Sequence, residues 1–193
     1  MVNKRVTFWA GLAALVLAAV AVGLWLANSP EDRRAAPAPR IARALIELRD
    51  GKLCPKVGGP PFSGVMYEQT TKGQLLTEVP VREGVVHGVA HGWHENGQME
   101  VEEIFVNGVS HGVRRRWHPN GRQRNEATIV NGLLHGPYTE WHDNGQVALR
   151  MNMVEGTGEG ESEAWLPDGR LKSRITLRKG QPVKTEYFTQ TSK

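Results

Sequence analysis

Histidine, arginine and tryptophan are the side chains here that could do chemistry, and each recurs in step. His87, His111 and His135 follow one another at a fixed interval, and so do His94, His118 and His142. Such a set invites a zinc or copper site, which needs imidazoles within about 2.1 Å of one ion. Equivalent residues of successive two-strand units stand roughly 9.6 Å apart across a sheet. The two histidine sets are separated by about 23 Å along a strand and lie on opposite faces. Neither spacing chelates, so the histidines are expected to pack beside glycine and near loop ends, with no metal and no cofactor. Ser110 beside His111, and Ser162 near Glu159, lack a third partner and an oxyanion loop. No phosphate-cradling glycine motif precedes a helix, so an enzyme is not expected. The single cysteine, Cys54, excludes an internal disulfide framework and reads as a structural thiol.

The arginines are the better candidates for binding. Arg114, Arg116, Arg122 and Arg124 alternate and so share a strand face, with Tyr138 beside Arg124 in the expected register. An anionic lipid headgroup, a wall polymer or an acidic protein would suit them. The rival reading is a solvated face neutralised by Glu126 opposite Arg114 and by Glu140 opposite Arg122. Trp93, Trp117, Trp141 and Trp165 form a ladder that could stack on glycan. With one tryptophan per unit, packing between neighbouring hairpins is the expected use. The net charge of +4 is too small to argue for nucleic acid.

The elements that must position these residues follow a 24-residue frame. Gly84, Gly108, Gly132 and Gly156 open successive units, with Gly180 after them. Gly88, Gly112, Gly136 and Gly160 come four later, the tryptophans nine later, and Gly97, Gly121, Gly145 and Gly169 thirteen later. Gly64 and Gly73 keep the frame, with Pro60 and Gln69 in place of the opening glycine and the tryptophan. A fixed period means a repeat architecture, here a β-hairpin per unit. Pro119 and Pro167 suit the first central position of a type I turn, so the loop before each late glycine is read as three residues long. The same loop length is assigned at Val106-Asn107-Gly108 and its equivalents. That register puts Trp117 on the apolar face with Asn125, Ala127 and Ile129, leaves Arg114 and Glu126 on the other, and sets His111 across from Glu103.

Ahead of the repeats, residues 1–5 carry Lys4 and Arg5, and Val6–Ala27 then runs without a charge. As a helix this stretch would be roughly 33 Å long and could span a bilayer. It is read as an uncleaved anchor, with the N-terminus cytoplasmic and the repeats extracytoplasmic, periplasmic in a Gram-negative cell. The alternative is a signal peptide cut near Ala27-Asn28-Ser29. Residues 28–40 form a Pro/Ala tether, and residues 41–59 lead-in strands turning at Asp50-Gly51. From residue 60 to 193 the repeats take over.

Asn107-Gly108 with His111-Gly112, and Asn131-Gly132 with His135-Gly136, give NG-x-x-HG followed by an aromatic strand and a further NG or DG loop. This pattern resembles the MORN (membrane occupation and recognition nexus) repeat family, closest to the bacterial variant labelled antitoxin-like. The resemblance covers about Pro60–Lys193, and the second strand lacks the Tyr-x-Gly of the standard repeat. It implies an all-β, single-layer antiparallel meander of hairpins used for tethering and protein contact, and by label alone an antitoxin-like role. The expected protein is thus a membrane-anchored scaffold meeting a protein partner at the cell envelope, with anionic lipid or wall polymer as the alternative ligand.

Overall fold

A computed structural model describes residues 37–188. The segment expected to span a membrane, Val6–Ala27, lies outside them; among the described residues no helix is long and apolar enough to cross a membrane. The strands are β1 (Arg40–Ala42), β2 (Ile46–Arg49), β3 (Lys52–Pro55), β4 (Gly64–Gln69), β5 (Leu75–Arg82), β6 (Val85–Val86), β7 (Gly88–Trp93) and β8 (Met99–Val106). They continue as β9 (Val109–Ser110), β10 (Gly112–Trp117), β11 (Gln123–Val130), β12 (Leu133–Trp141), β13 (Val147–Val154), β14 (Thr157–Trp165), β15 (Leu171–Arg178) and β16 (Gln181–Tyr187). From β4 to β16 they form one antiparallel meander in chain order; β1 joins its first edge in parallel, and β2 and β3 make a separate hairpin.

Two kinds of turn join the strands, where one kind was expected. Glu95-Asn96-Gly97 and its equivalents are three-residue loops, in which Gly97 N–H donates to His94 O and His94 N–H to Gln98 O, both at 2.9 Å. The turns between units are two residues long: Val106 pairs with Val109 and Val130 with Leu133. Asn107 (φ 50°) and Gly108 (φ 82°) are both left-handed, the type I′ geometry that suits the twist of a hairpin. Asp50, Glu83, Asn131, Glu155 and Lys179 hold the same place in the other turns, at φ between 48° and 51°.

A two-residue turn plus a three-residue loop leaves an odd number of residues in each period for two strands. Bulges absorb the difference. Trp117 pairs with Gln123 but Arg116 with Asn125, so Arg124 is an extra residue; Glu100, Ala148 and Lys172 hold the same place. At the other end, Ile129 pairs with Leu134 but Ala127 with Tyr138, so two extra residues sit around His135-Gly136. The equivalent glycine, Gly112, has φ 113°, and a Cβ there would stand 3.1 Å from the Ile104 side chain. The His-Gly signature is therefore a bulge signature.

The two-residue turns and the bulges together overturn the expected register and with it the assignment of faces. Arg114 pairs with Ala127, while Glu126 pairs with Arg115. Tyr138 stands across from Ala127 and Glu140 across from Asn125. His111 meets Ile104, to whose carbonyl its N–H donates at 2.9 Å, and Glu103 is not its partner. Arg114, Arg116, Ala127, Ile129, Tyr138, Leu149, Met151 and Met153 therefore share one face, and the tryptophans lie on the other.

The buried apolar residues are few: one cluster lies at the N-terminal end, and Ala90, Ala127 and Ile129 are buried farther along. Ile46 and Leu53 of the β2–β3 hairpin pack on Met66, Val79 and Val81 of β4 and β5. Cys54 is buried in the same hairpin. Met66 pairs with Val79 on the face that carries Arg116 and Ala127 farther along. The sheet is thus one layer thick except where this hairpin covers its first strands. At the far end, Pro182 and Lys184 on β16 discourage further pairing, as edge strands commonly require.

Candidate functional site

The two faces differ in chemistry. Across the middle of the uncovered face runs one register row: Glu78, His91, Glu102, Arg115, Glu126, Thr139, Arg150, Glu163, Arg174 and Glu186. Arg115 bridges Glu126 at 2.8 Å and Glu102 at 3.2 Å, and Arg174 meets Glu163 at 2.7 Å. The hydrogen bond to Glu126, and then the Glu102 carboxylate, hold the Arg115 proton more tightly than usual despite partial burial. The half-buried tryptophans flank the row. The Arg150 guanidinium lies 5.6 Å from the Trp165 ring centre, close enough for the ring face to attract the cation. Opposite charges recurring at a nearly constant step, as at Glu102, Arg115 and Glu126, were the sequence signal for this row, which the expected register concealed.

Five of the six histidines in the two sets, all but His135, hold neighbouring repeats together. His94, His118 and His142 each donate Nε2–H to the backbone carbonyl of the next tryptophan: Trp117 at 2.9 Å, Trp141 at 2.9 Å and Trp165 at 3.0 Å. A carbonyl only accepts, so the proton sits on Nε2. Asn96, Asn120 and Asn144 reach the next loop in the same way, on Pro119, Asp143 and Pro167 carbonyls. At the other end of the strands, His87 Nδ1 accepts from Asn107 N–H at 3.3 Å, and His111 Nδ1 from Asn131 N–H at 3.4 Å. Glu159 replaces histidine in that role for Lys179 N–H, at 2.8 Å. Ser110 donates to Glu103 at 2.6 Å rather than to its neighbour His111.

The covered face continues past the N-terminal hairpin as an open surface, and Arg114, Arg116 and Tyr138 come together on it. With Asn125, Leu134, Met151 and Met153 they line a hollow of about 290 Å³. The Nε atoms of Arg114 and Arg116 are buried and have no hydrogen-bond partner. Arg114 Nη1 lies 3.5 Å from Glu103, and Tyr138 donates its hydroxyl to Glu140 at 3.2 Å. Burial first, and then Glu140, push the Tyr138 hydroxyl up, against the lowering fields of Arg124 and Arg114.

The remaining expected arginines divide. Arg124, the bulge residue, stays within electrostatic reach of Tyr138. Arg122 belongs to the loops, where Nη1 donates to Asp143 O at 3.3 Å. The carboxylates expected to neutralise these arginines also separate, Glu126 to the charge row and Glu140 to the hollow. The apolar residues around the arginines were not foreseen, because the expected register put them on opposite faces.

Comparison with known families matches the MORN repeat variant over residues 86–107 and 134–155. The first match runs from β6 through β8 to the Asn107 turn; the second runs from β12 through β13 to the Glu155 turn. The description concerns the repeat alone and carries no antitoxin role. No match is found among curated proteins.

Proposed function

We propose, for a chain that carries MORN repeats of the variant type, that the array is a binding scaffold whose working surface is the open part of the covered face. The observation that carries this reading is the hollow, where two arginines with unpartnered, buried Nε atoms stand among Leu134, Met151 and Met153. A group buried without its hydrogen bond costs about 1–3 kcal/mol, an arrangement that a partner can relieve. The other face has answered most of its own charges through the Arg115 and Arg174 bridges.

Protein contact fits this surface better than a polyanion does. Arg114 and Arg116 are accompanied by Glu103 and Glu140, so the face presents no strong positive field. Mixed apolar and polar lining around arginine and tyrosine is typical of protein interfaces. Val6–Ala27 tethers the array to a membrane, with the repeats outside the cytoplasm at the cell envelope. The test is retention of a partner by the tagged full chain, extracted from membranes and washed at rising salt. Retention at about 0.5 M salt, lost in Met151→Glu but kept in Arg174→Ala, supports the reading. Release at moderate salt by both variants alike favours an anionic lipid or wall polymer and overturns it.

A further inference from the structure

The hollow is specific enough to name what it takes, if the covered face is the working surface as proposed above. Arg114 and Arg116 are alternate residues of β10, so they point to one face, and both line the hollow. Each Nε is buried without a hydrogen bond. Arg116 has no carboxylate partner among the described residues, whereas Arg114 shares Glu103 with Ser110. Rotation about the terminal torsions of Arg116 would turn its Nε–Nη edge towards the hollow. That edge presents two parallel donors, the spacing of the two oxygens of a carboxylate.

Charge and shape narrow the ligand further. Arg114, Arg116 and Arg124 are set against Glu103 and Glu140, an excess of one positive charge that one carboxylate balances. A phosphate dianion or a headgroup surface would bring more negative charge than the excess. The wall beyond the arginines is Leu134, Met151 and Met153, which offers an acid nothing polar but suits an alkyl group. Methionine on such a wall adapts to chains of differing shape. At about 290 Å³ the hollow is at the small end of ligand sites.

We propose that the hollow lined by Arg116, Arg114, Leu134, Met151 and Met153 binds a carboxylate carried on a short apolar stem. Arg116 takes the carboxylate edge-on, Arg114 supports it, and the stem lies on the methionines. Two sources present that group, a protein C-terminus with an apolar last residue and a free fatty acid.

The probes are acetyl-leucyl-leucine, its C-terminal amide, hexanoate and inorganic phosphate, titrated into the full chain labelled with ¹³C at its methionine methyls. Met151 and Met153 report the hollow, and Met66, buried under the N-terminal hairpin, reports the fold. The expected result is a saturable shift of Met151 and Met153 by the dipeptide acid, with the amide about tenfold weaker. Met66 stays still throughout. Tighter binding of the dipeptide acid than of hexanoate assigns a protein C-terminus, and the reverse assigns a fatty acid. Arg116→Gln, and Arg116→Lys, which keeps the charge but loses the two-donor edge, both weaken the acid at least fivefold with Met66 unmoved. Equal shifts by acid and amide, an undiminished titration in Arg116→Gln, or a response to phosphate matching the acid would each overturn the proposal. Failure of the acid while partner retention still depends on Met151 removes this ligand and leaves the scaffold reading. Face-independent retention with an intact titration removes the scaffold reading and leaves the site.

Discussion

His118→Ala separates a histidine that joins repeats from one that merely recurs. The Nε2–H of His118 donates to Trp141 O at 2.9 Å from a half-buried position. Its removal forfeits a hydrogen bond with a net value of about 1 kcal/mol and leaves a backbone acceptor short of a partner. Together these give an expected loss of about 1.5 kcal/mol. For a chain of this size that corresponds to roughly 3–6 °C in Tm. His135 recurs as regularly, but it is exposed and makes no side-chain hydrogen bond among the described residues. Its replacement by alanine should therefore cost less than about 0.5 kcal/mol. The assay is urea unfolding of the three proteins followed by tryptophan fluorescence, with unchanged m-values as the sign of an intact sheet. Equal costs for the two substitutions would refute the reasoning, and so would a His118→Ala variant as stable as the parent.

Three more outcomes follow from the same geometry. Because the Trp141 ring is only partly buried, on the charge-bearing face, Trp141→Ala should cost less than the range of roughly 3–5 kcal/mol typical of a buried tryptophan; chemical unfolding checks this, and a loss inside that range would place the ring in a core. Arg115→Glu puts three carboxylates in a row with Glu102 and Glu126, and should cost about 1 kcal/mol at low ionic strength, with at least half the effect gone in about 1 M salt; a salt-independent loss would count against the row as an electrostatic device. The Tyr138 hydroxyl is raised in the folded state, so its contribution is fully present below the tyrosine range of the unfolded chain and fades as pH rises through the folded value. Thermal melts at pH 9 and pH 11 should therefore show a larger alkaline loss for the parent than for Tyr138→Phe, and equal losses would contradict the burial of that hydroxyl.

The repeat, its hairpins and its three-residue loops were legible in the sequence because they depend on local chemistry. Glycine at Gly97 and proline at Pro119 each report a backbone conformation directly. The lead-in turn at Asp50-Gly51 was legible for the same reason. The faces were not legible, because the turns between units were read one residue too long and the one-residue bulge demands no unusual residue at the extra position. Glu100, Arg124, Ala148 and Lys172 have nothing in common except their place. A single uncounted residue moves every later side chain to the other face. That error separated Arg114 from Ala127 in the expected register, and it hid both the charge row and the apolar wall of the hollow. Arg114 and Arg116 stay on one face, since alternation within one strand survives any slip between strands, whereas Arg122 and Arg124 do not line the hollow with them. Ile41 and Ala42 fall within the expected lead-in strands, but their parallel pairing with β4 gave no sequence signal, the strand being so short and lying at the end of a Pro/Ala tether.

The central claim is that one face of the array, and not the other, receives a partner. Met151 and Asn152 are consecutive on β13 and point to opposite faces, Met151 into the hollow and Asn152 out beside the charge row. A photocrosslinking amino acid placed at each position in turn, in the full chain in its native cells, tests the claim directly. The account predicts a discrete adduct from position 151 and none from position 152. An adduct from 152 alone, or equal adducts from both, would contradict it.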